Sequence, residues 1–255
     1  MTTLPPIRRQ VVVRGAPEAA FEVFTGEIGL WWPVARHSVY GDGATVAFEQ
    51  GRIVERGPGG GEAVWGSVLE WEPPSLLAVT WHPGSDVDKA SRVRVSFEAL
   101  ADGMTLVTLE HDGWERLPDP GASRTEYGNG WPRVLDRYAA QAPTAAAPGA
   151  DGPVWLVLDH TGGPALPPGE PVFGQPDFGE HIAFLGRLRE RGVLVAAGSL
   201  DRHSTGMTVL RVPDPADVAT YVGLAQTDDG AVTAGLLQVR VRPWHVALER
   251  AAERG

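Results

Sequence analysis

A run of small residues and prolines near the middle of the chain, QAPTAAAPGADGP at 141–153, constrains the fold more than any other feature. It has no apolar periodicity and nothing to build a buried face from, so it reads as a linker. The flanks it leaves are each near the usual size of a domain. Two domains are expected, residues 1–141 and 153–255, with a linker at 142–152. No internal repeat relates the two flanks.

Alternation dominates the first flank. Val93, Val95 and Phe97 are interleaved with Arg92, Arg94, Ser96 and Glu98, the pattern of a strand with one buried and one wet face. Leu77, Val79 and Trp81 alternate in another strand, and Ala63, Trp65, Ser67, Leu69 and Trp71 share one face of a third. Thr105, Val107, Leu109 and His111 follow the Asp102-Gly103 turn. Ile7–Arg14 reads as an opening strand, and Pro17 suits the first turn of a helix carrying Ala20, Phe21 and Phe24 inward. A last helix is predicted from about Ser123, with a capping box to Glu126, to about Ala140; Gly128 and Gly130 weaken its first half. The glycines at 57, 59, 60 and 61 precede a strand rather than a helix, so they read as a hairpin loop and not a phosphate cradle.

The second flank reads strand 153–160, helix 177–191, strands 193–200 and 205–212, helix 214–226 and strand 234–244. The order βαββαβ is ferredoxin-like, and the fold class is α+β throughout. Phe178, Ile182, Leu185 and Leu188 give the first of these helices a buried stripe, with Arg187, Glu190 and Arg191 off it.

Composition removes several functions. The chain has no cysteine, which excludes disulfides, thiolate zinc sites and cysteine nucleophiles. Its net charge is −10, and both flanks share the excess: 13 basic against 19 acidic side chains over 1–143, and 9 against 13 over 144–255. Neither nucleic acid nor an anionic membrane is an expected partner. The start, MTTLPPIRRQ, has no apolar core for a signal peptide, and no run is long enough to span a bilayer, so a cytoplasmic protein is expected.

Chemistry concentrates in the second flank, at His160, His181 and Asp229. A histidine and a carboxylate brought together can transfer protons at neutral pH, because the carboxylate fixes the tautomer of an imidazole that titrates near 7. By spacing alone His181 is also readable as a helix-boundary histidine bonded to a carbonyl, and Asp229 as a turn residue with Asp228 as its rival. Ser199 offers a hydroxyl but lacks the surroundings of a serine nucleophile. His160, His181, His203 and Asp229 show no metal-motif spacing, so no metal and no cofactor is expected.

Two family resemblances add to this reading. APEAAFEVFT, the IGLWWP cluster, GSVLEWEPPSLLAVTW, LVTLEHDGW and GNGWPRVLDRY make residues 7–141 resemble the START-like helix-grip proteins, in particular the activator-of-heat-shock-ATPase-homologue type. The resemblance implies a curved sheet gripping the last helix over a cavity for hydrophobic molecules. Trp32, Trp81, His111 and Trp131 are the candidates for lining it, with Trp31 and Trp65 nearby. VLDHTGGP, FGEHIAFLGRLRERG, LVAAGSL, GMTVLRV and DDGAVTAGLLQVRVRPW make residues 153–247 resemble the YCII-related branch of the dimeric α+β barrels. That resemblance implies an active site of His181 and Asp229, with His160 and Ser199 as neighbours, and a homodimer through this domain. Gly198-Ser199 and Asp229-Gly230 depart from the Gly-Pro and Asp-Pro often found there.

The expected function is a two-domain protein that binds a small hydrophobic or aromatic molecule. Its enzyme reading is cofactor-free His/Asp chemistry of the lyase or isomerase type. The alternative is a non-catalytic carrier or sensor, and a chaperone ATPase co-activator comes third.

Overall fold

The computed structural model describes residues 4–101, 103–142 and 152–247. Most of the expected linker therefore lies outside the described residues. The chain separates into two compact units, residues 1–150 and 151–255.

The first unit runs β1 (Ile7–Arg14), α1 (Pro17–Gly26), α2 (Ile28–Trp31), β2 (Thr45–Glu49), β3 (Arg52–Arg56), β4 (Glu62–Glu72), β5 (Leu76–Trp81), β6 (Ser91–Ala101), β7 (Met104–Asp112) and α3 (Pro120–Gln141). Its seven strands form one antiparallel sheet in the order β1-β7-β6-β5-β4-β3-β2. Register shifts at Ile53/Val54, Val68/Glu70 and Ala99/Ala101 bend the sheet. The expected alternation holds in β5, β6 and β7, where Leu77, Val79, Trp81, Val93, Val95, Phe97, Val107 and Leu109 are all buried. In β4 it fails. Trp65 is buried, but the register shifts on either side change the phase: Leu69 is the extra, exposed residue, and Trp71, paired with Leu77, lies on the inner face at the rim, 45% exposed and packed on Phe21 and Phe48. Gly66 marks the closest approach in this region: a Cβ there would sit 1.7 Å from the carbonyl oxygen of Thr80, so no other residue fits.

The sheet holds α3 through Trp131, Val134, Leu135 and Tyr138, all part of one apolar core with α1, α2 and the strands. The Tyr138 hydroxyl donates to the carbonyl of Ala20 at 2.8 Å, and Arg137 Nε donates to the carbonyl of Trp31 at 3.0 Å. This is the helix-grip arrangement. α3 begins earlier than expected. Asp119, not Ser123, is its N-cap and accepts from Ala122 N, with Pro120 in the first turn.

The second unit runs β8 (Val154–Gly162), α4 (Phe178–Glu190), β9 (Leu194–Ser199), β10 (Gly206–Val212), α5 (Val218–Thr227), α6 (Gly230–Thr233) and β11 (Leu237–Pro243). Its four strands pair antiparallel in the order β11-β8-β10-β9. α4 packs on β9, while α5 and α6 pack on β11. Two sequence expectations are corrected. The second helix starts at Val218, because Pro215–Asp217 form a 3-10 turn capped by Asp214. The buried stripe of α4 is His181, Phe184 and Leu188, whereas Ile182 is exposed and Leu185 only half-buried. Among the described residues no helix is long and apolar enough to cross a membrane.

Candidate functional site

Each unit contains a cavity. In the first, about 340 Å³ opens between α3 and the turns that follow α2 and β5. Trp32, Trp81 and Trp131 line it. Their rings form one cluster with centroid separations of 5.4–6.0 Å. The polar lining comes from residues that the alternation pattern did not single out: Arg36, His37, Glu126 and Tyr127. Arg36 and His37 sit on a turn and Glu126 on the exposed side of α3, where strand parity carries no information, while Tyr127 stacks on Trp131 one helical turn away.

His111 is not among the lining residues, which corrects its expected role. It is fully buried behind Trp131, whose Nε1 donates to His111 Nδ1 at 3.0 Å. The acceptor at Nδ1 leaves the proton on Nε2, which faces Ser91 Oγ at 2.8 Å, and Ser91 in turn donates to the carbonyl of Trp81. His111 thus orients two of the cavity's tryptophans from behind. Burial pushes its pKa from 6.5 down to about 3. Between those values the unfolded chain binds a proton that the folded one refuses, so stability falls as pH drops from 6.5 towards 3. The slope expected from this residue is at most about 1.4 kcal/mol per pH unit. Urea unfolding across that range should show a flatter dependence in His111→Gln, which can keep both hydrogen bonds but cannot take up a proton. An unchanged slope would remove His111 as the cause.

A second feature of this wall is Glu55, which is fully buried on β3. One carboxylate oxygen accepts from Val39 N and Trp65 Nε1, the other from Tyr40 N, each at 2.8 Å. Val39 lines the cavity, so this carboxylate ties the 38–40 turn to the sheet. Glu55 lies two residues after the core residue Ile53 and so shares its inward face, while the extra residue of the register shift, Trp65, lies opposite on β4.

The second unit's cavity, about 310 Å³, lies between α4 and the β9–β10 pair. His160, His181 and Ser199 all line it. Phe178, Ile182 and Leu185 line it too, which explains why these three helix positions are apolar without being buried. His181 Nδ1 lies 2.7 Å from Asp229 Oδ2, with Asp229 fully buried and His181 nearly so. Asp229 is fixed by its place in the chain. It is the N-cap of α6, and its other oxygen accepts from Ala231 N at 3.1 Å. Gly230 allows the approach, since a Cβ there would meet Glu180 of α4 at 2.6 Å. Asp228 points elsewhere: Arg187 Nε donates to its carboxylate at 2.9 Å.

His160, on β8, sets its ring edge-on to that of His181 with centroids 4.7 Å apart. Its Nε2 faces Thr208 Oγ1 at 3.4 Å. Burial and the neighbouring His181 push its pKa down to about 4. One ligand atom each from His160, His181 and Asp229 fall within 4.8 Å of one another, a convergence that spacing along the chain did not reveal. Each oxygen of Asp229 already has one partner, His181 Nδ1 or Ala231 N. His203 and His245 are exposed and lie outside this group.

Comparison with known proteins concerns the first unit. No curated protein matches the chain. An anthrahydroquino-gamma-pyrone synthase, Txn09, is 31% identical over 55% of this chain and 99% of its own, with a TM-score of 0.37. The self-sacrificing resistance protein CalC from Micromonospora echinospora is 26% identical over 54% of this chain and 93% of its own, with a TM-score of 0.42. A protein from Mesorhizobium loti, MLL2253, is 19% identical over 53% and 95%, with a TM-score of 0.40. The family described as Activator of Hsp90 ATPase homolog 1-like protein matches residues 15–141, from the start of α1 to the end of α3.

Proposed function

We propose that this is a two-domain small-molecule-binding protein whose second unit, a ferredoxin-like domain of the YCII-related kind, performs acid–base chemistry with His181 and Asp229. The observation that carries the reading is the 2.7 Å contact between His181 Nδ1 and Asp229 Oδ2 beside an apolar cavity. A buried carboxylate at Nδ1 holds the proton there and turns Nε2 into the acceptor for a substrate proton. Asp229 also stabilises the imidazolium once that proton is taken. A pair that removes a proton and returns it elsewhere suits a lyase or isomerase step. Ser199 and His160 contact the bound molecule, and the first unit holds an aromatic molecule among Trp32, Trp81 and Trp131.

The second unit also pairs with a second copy. Phe173, Ile182 and Met207 are large apolar residues at its cavity rim and are substantially exposed, and a partner would cover them. Analytical ultracentrifugation should give twice the chain mass, and Ile182→Glu should shift it towards one chain.

The pair is tested by NMR of histidine ring nitrogens in the full chain. The neutral wild type should show His181 with its proton on Nδ1, and Asp229→Asn should populate the other tautomer. A panel of phenols, naphthols and hydroxyquinones is then screened by thermal shift against wild type and His181→Gln. Compounds that stabilise only the wild type support the reading. Equal responses to every compound would place His181 outside the functional site. A carrier reading is favoured separately for the first unit, whose only cavity-facing histidine, His37, has no carboxylate hydrogen-bonded to its ring among the described residues.

A further inference from the structure

The second cavity presents two imidazoles, and the bond to Asp229 accounts for only one. His160 is 3% exposed, and its Nδ1 has no hydrogen-bond partner among the described residues. A buried imidazole nitrogen without a partner costs stability unless something else meets it. Its other nitrogen is held towards Thr208, and its ring is held against His181. His160 lines the cavity beside His181, and its unpartnered nitrogen is enclosed in the wall, so a turn of the ring is needed to bring that nitrogen to a molecule lying there.

The charge of the cavity selects that molecule. No lysine or arginine lines it, and the remaining polar lining consists of hydroxyls from Ser199, Ser204, Thr205 and Thr208. The buried carboxylate of Asp229 lies behind His181. A carboxylate or phosphate entering here would shed its water without meeting a fixed cation, and would be repelled by Asp229. An uncharged ring system loses nothing comparable. It gains contact with Phe173, Phe178, Ile182, Leu185 and Met207.

We infer that the cavity of the second unit takes an uncharged, mainly apolar molecule bearing a hydroxyl or carbonyl oxygen, and that the His160 ring gives up its long 3.4 Å contact with Thr208 and turns to bind that oxygen through its unpartnered Nδ1. This inference rests on the acid–base reading of His181 and Asp229 and gives it a substrate class. A neutral imidazole can serve as donor or acceptor according to its tautomer, so it meets a carbonyl or a hydroxyl equally well. It holds the oxygen beside His181, where the neighbouring carbon-bound or oxygen-bound proton is within that residue's reach. His160 thereby fixes which proton is moved.

The test uses the full chain with histidine rings labelled, titrated near neutral pH with 2-naphthol and with 2-naphthoate. The two have the same ring system but differ in charge. His160 and His181 signals report the second cavity, and His37 reports binding in the first. The expected result is a His160 shift that saturates with 2-naphthol, at an affinity at least about tenfold above that for 2-naphthoate, as a lost charge-free fit would give. His160→Phe, with His160→Gln as a second variant should the first misfold, should weaken 2-naphthol about tenfold, the worth of one hydrogen bond. Equal or tighter binding of 2-naphthoate, or no His160 shift with 2-naphthol, overturns the inference. So does one equivalent of zinc bound by the wild type and lost in His160→Gln, which would assign Nδ1 to a cation. Failure of the underlying reading shows differently: naphthol selectivity persists, but the His181 tautomer is the same in wild type and Asp229→Asn.

Discussion

Asp229→Ala should destabilise the second unit by about 2–6 kcal/mol, since it orphans two buried donors at about 1–3 kcal/mol each. The side chain has two tasks, one per oxygen. Losing Oδ2 leaves His181 Nδ1 buried without an acceptor, and losing the other oxygen leaves the first turn of α6 uncapped at Ala231 N. Asp229→Asn separates the tasks. Its amide oxygen can still cap α6, while its charge is gone, so a smaller loss of about 1–3 kcal/mol is expected. Hydrogen exchange across α4, α6 and β8, combined with urea unfolding, reads both. Protection should fall in all three for Asp229→Ala, and mainly around His181 for Asp229→Asn. A loss below about 1 kcal/mol in the alanine variant would mean that the contact does not hold the helices together.

What the chain made legible follows from where periodicity carries information. Strands with one buried face announced themselves, so β5, β6 and β7 lie where the alternation of Leu77–Trp81, Ser91–Ala101 and Met104–Asp112 puts them. Where a bulge shifts the phase, parity misleads: in β4 Leu69 becomes an exposed extra residue, so the single face expected for Ala63, Trp65, Ser67, Leu69 and Trp71 does not persist. The stripe on α4 misled for another reason. Phe178, Ile182 and Leu185 are apolar because they line a cavity, and hydrophobicity alone does not distinguish a core from a cavity wall. The meeting of His181 with Asp229 spans 48 positions and depends on a four-residue helix, α6, too short to leave a periodic signal. Only the resemblance suggested it. His111 shows the converse. Its inward parity was readable, but whether an inward histidine faces a cavity or a tryptophan behind it depends on packing from α3, which no local pattern encodes.

Glu55→Ala should cost the first unit about 3–5 kcal/mol and should also weaken ligand binding among the tryptophans. Three donors converge on this carboxylate: two successive backbone amides of the 38–40 turn and the indole of Trp65. Alanine leaves all three without this acceptor; the indole of Trp65 is fully buried, where an orphaned donor costs about 1–3 kcal/mol, and the two amides of the more exposed turn add less. The turn also forms part of the cavity wall through Ser38 and Val39, so releasing it changes the shape of the cavity as well as the stability of the sheet. Glu55→Gln is the sharper probe. Its oxygen can accept from one side, but its NH2 group must face a donor on the other, so the turn should detach from the sheet while the bulk is kept. Unfolding monitored by tryptophan fluorescence measures the first effect, and 2-naphthol binding followed at His37 measures the second. If Glu55→Gln binds 2-naphthol as the wild type does, the turn is held by other contacts and the carboxylate serves only to satisfy Trp65.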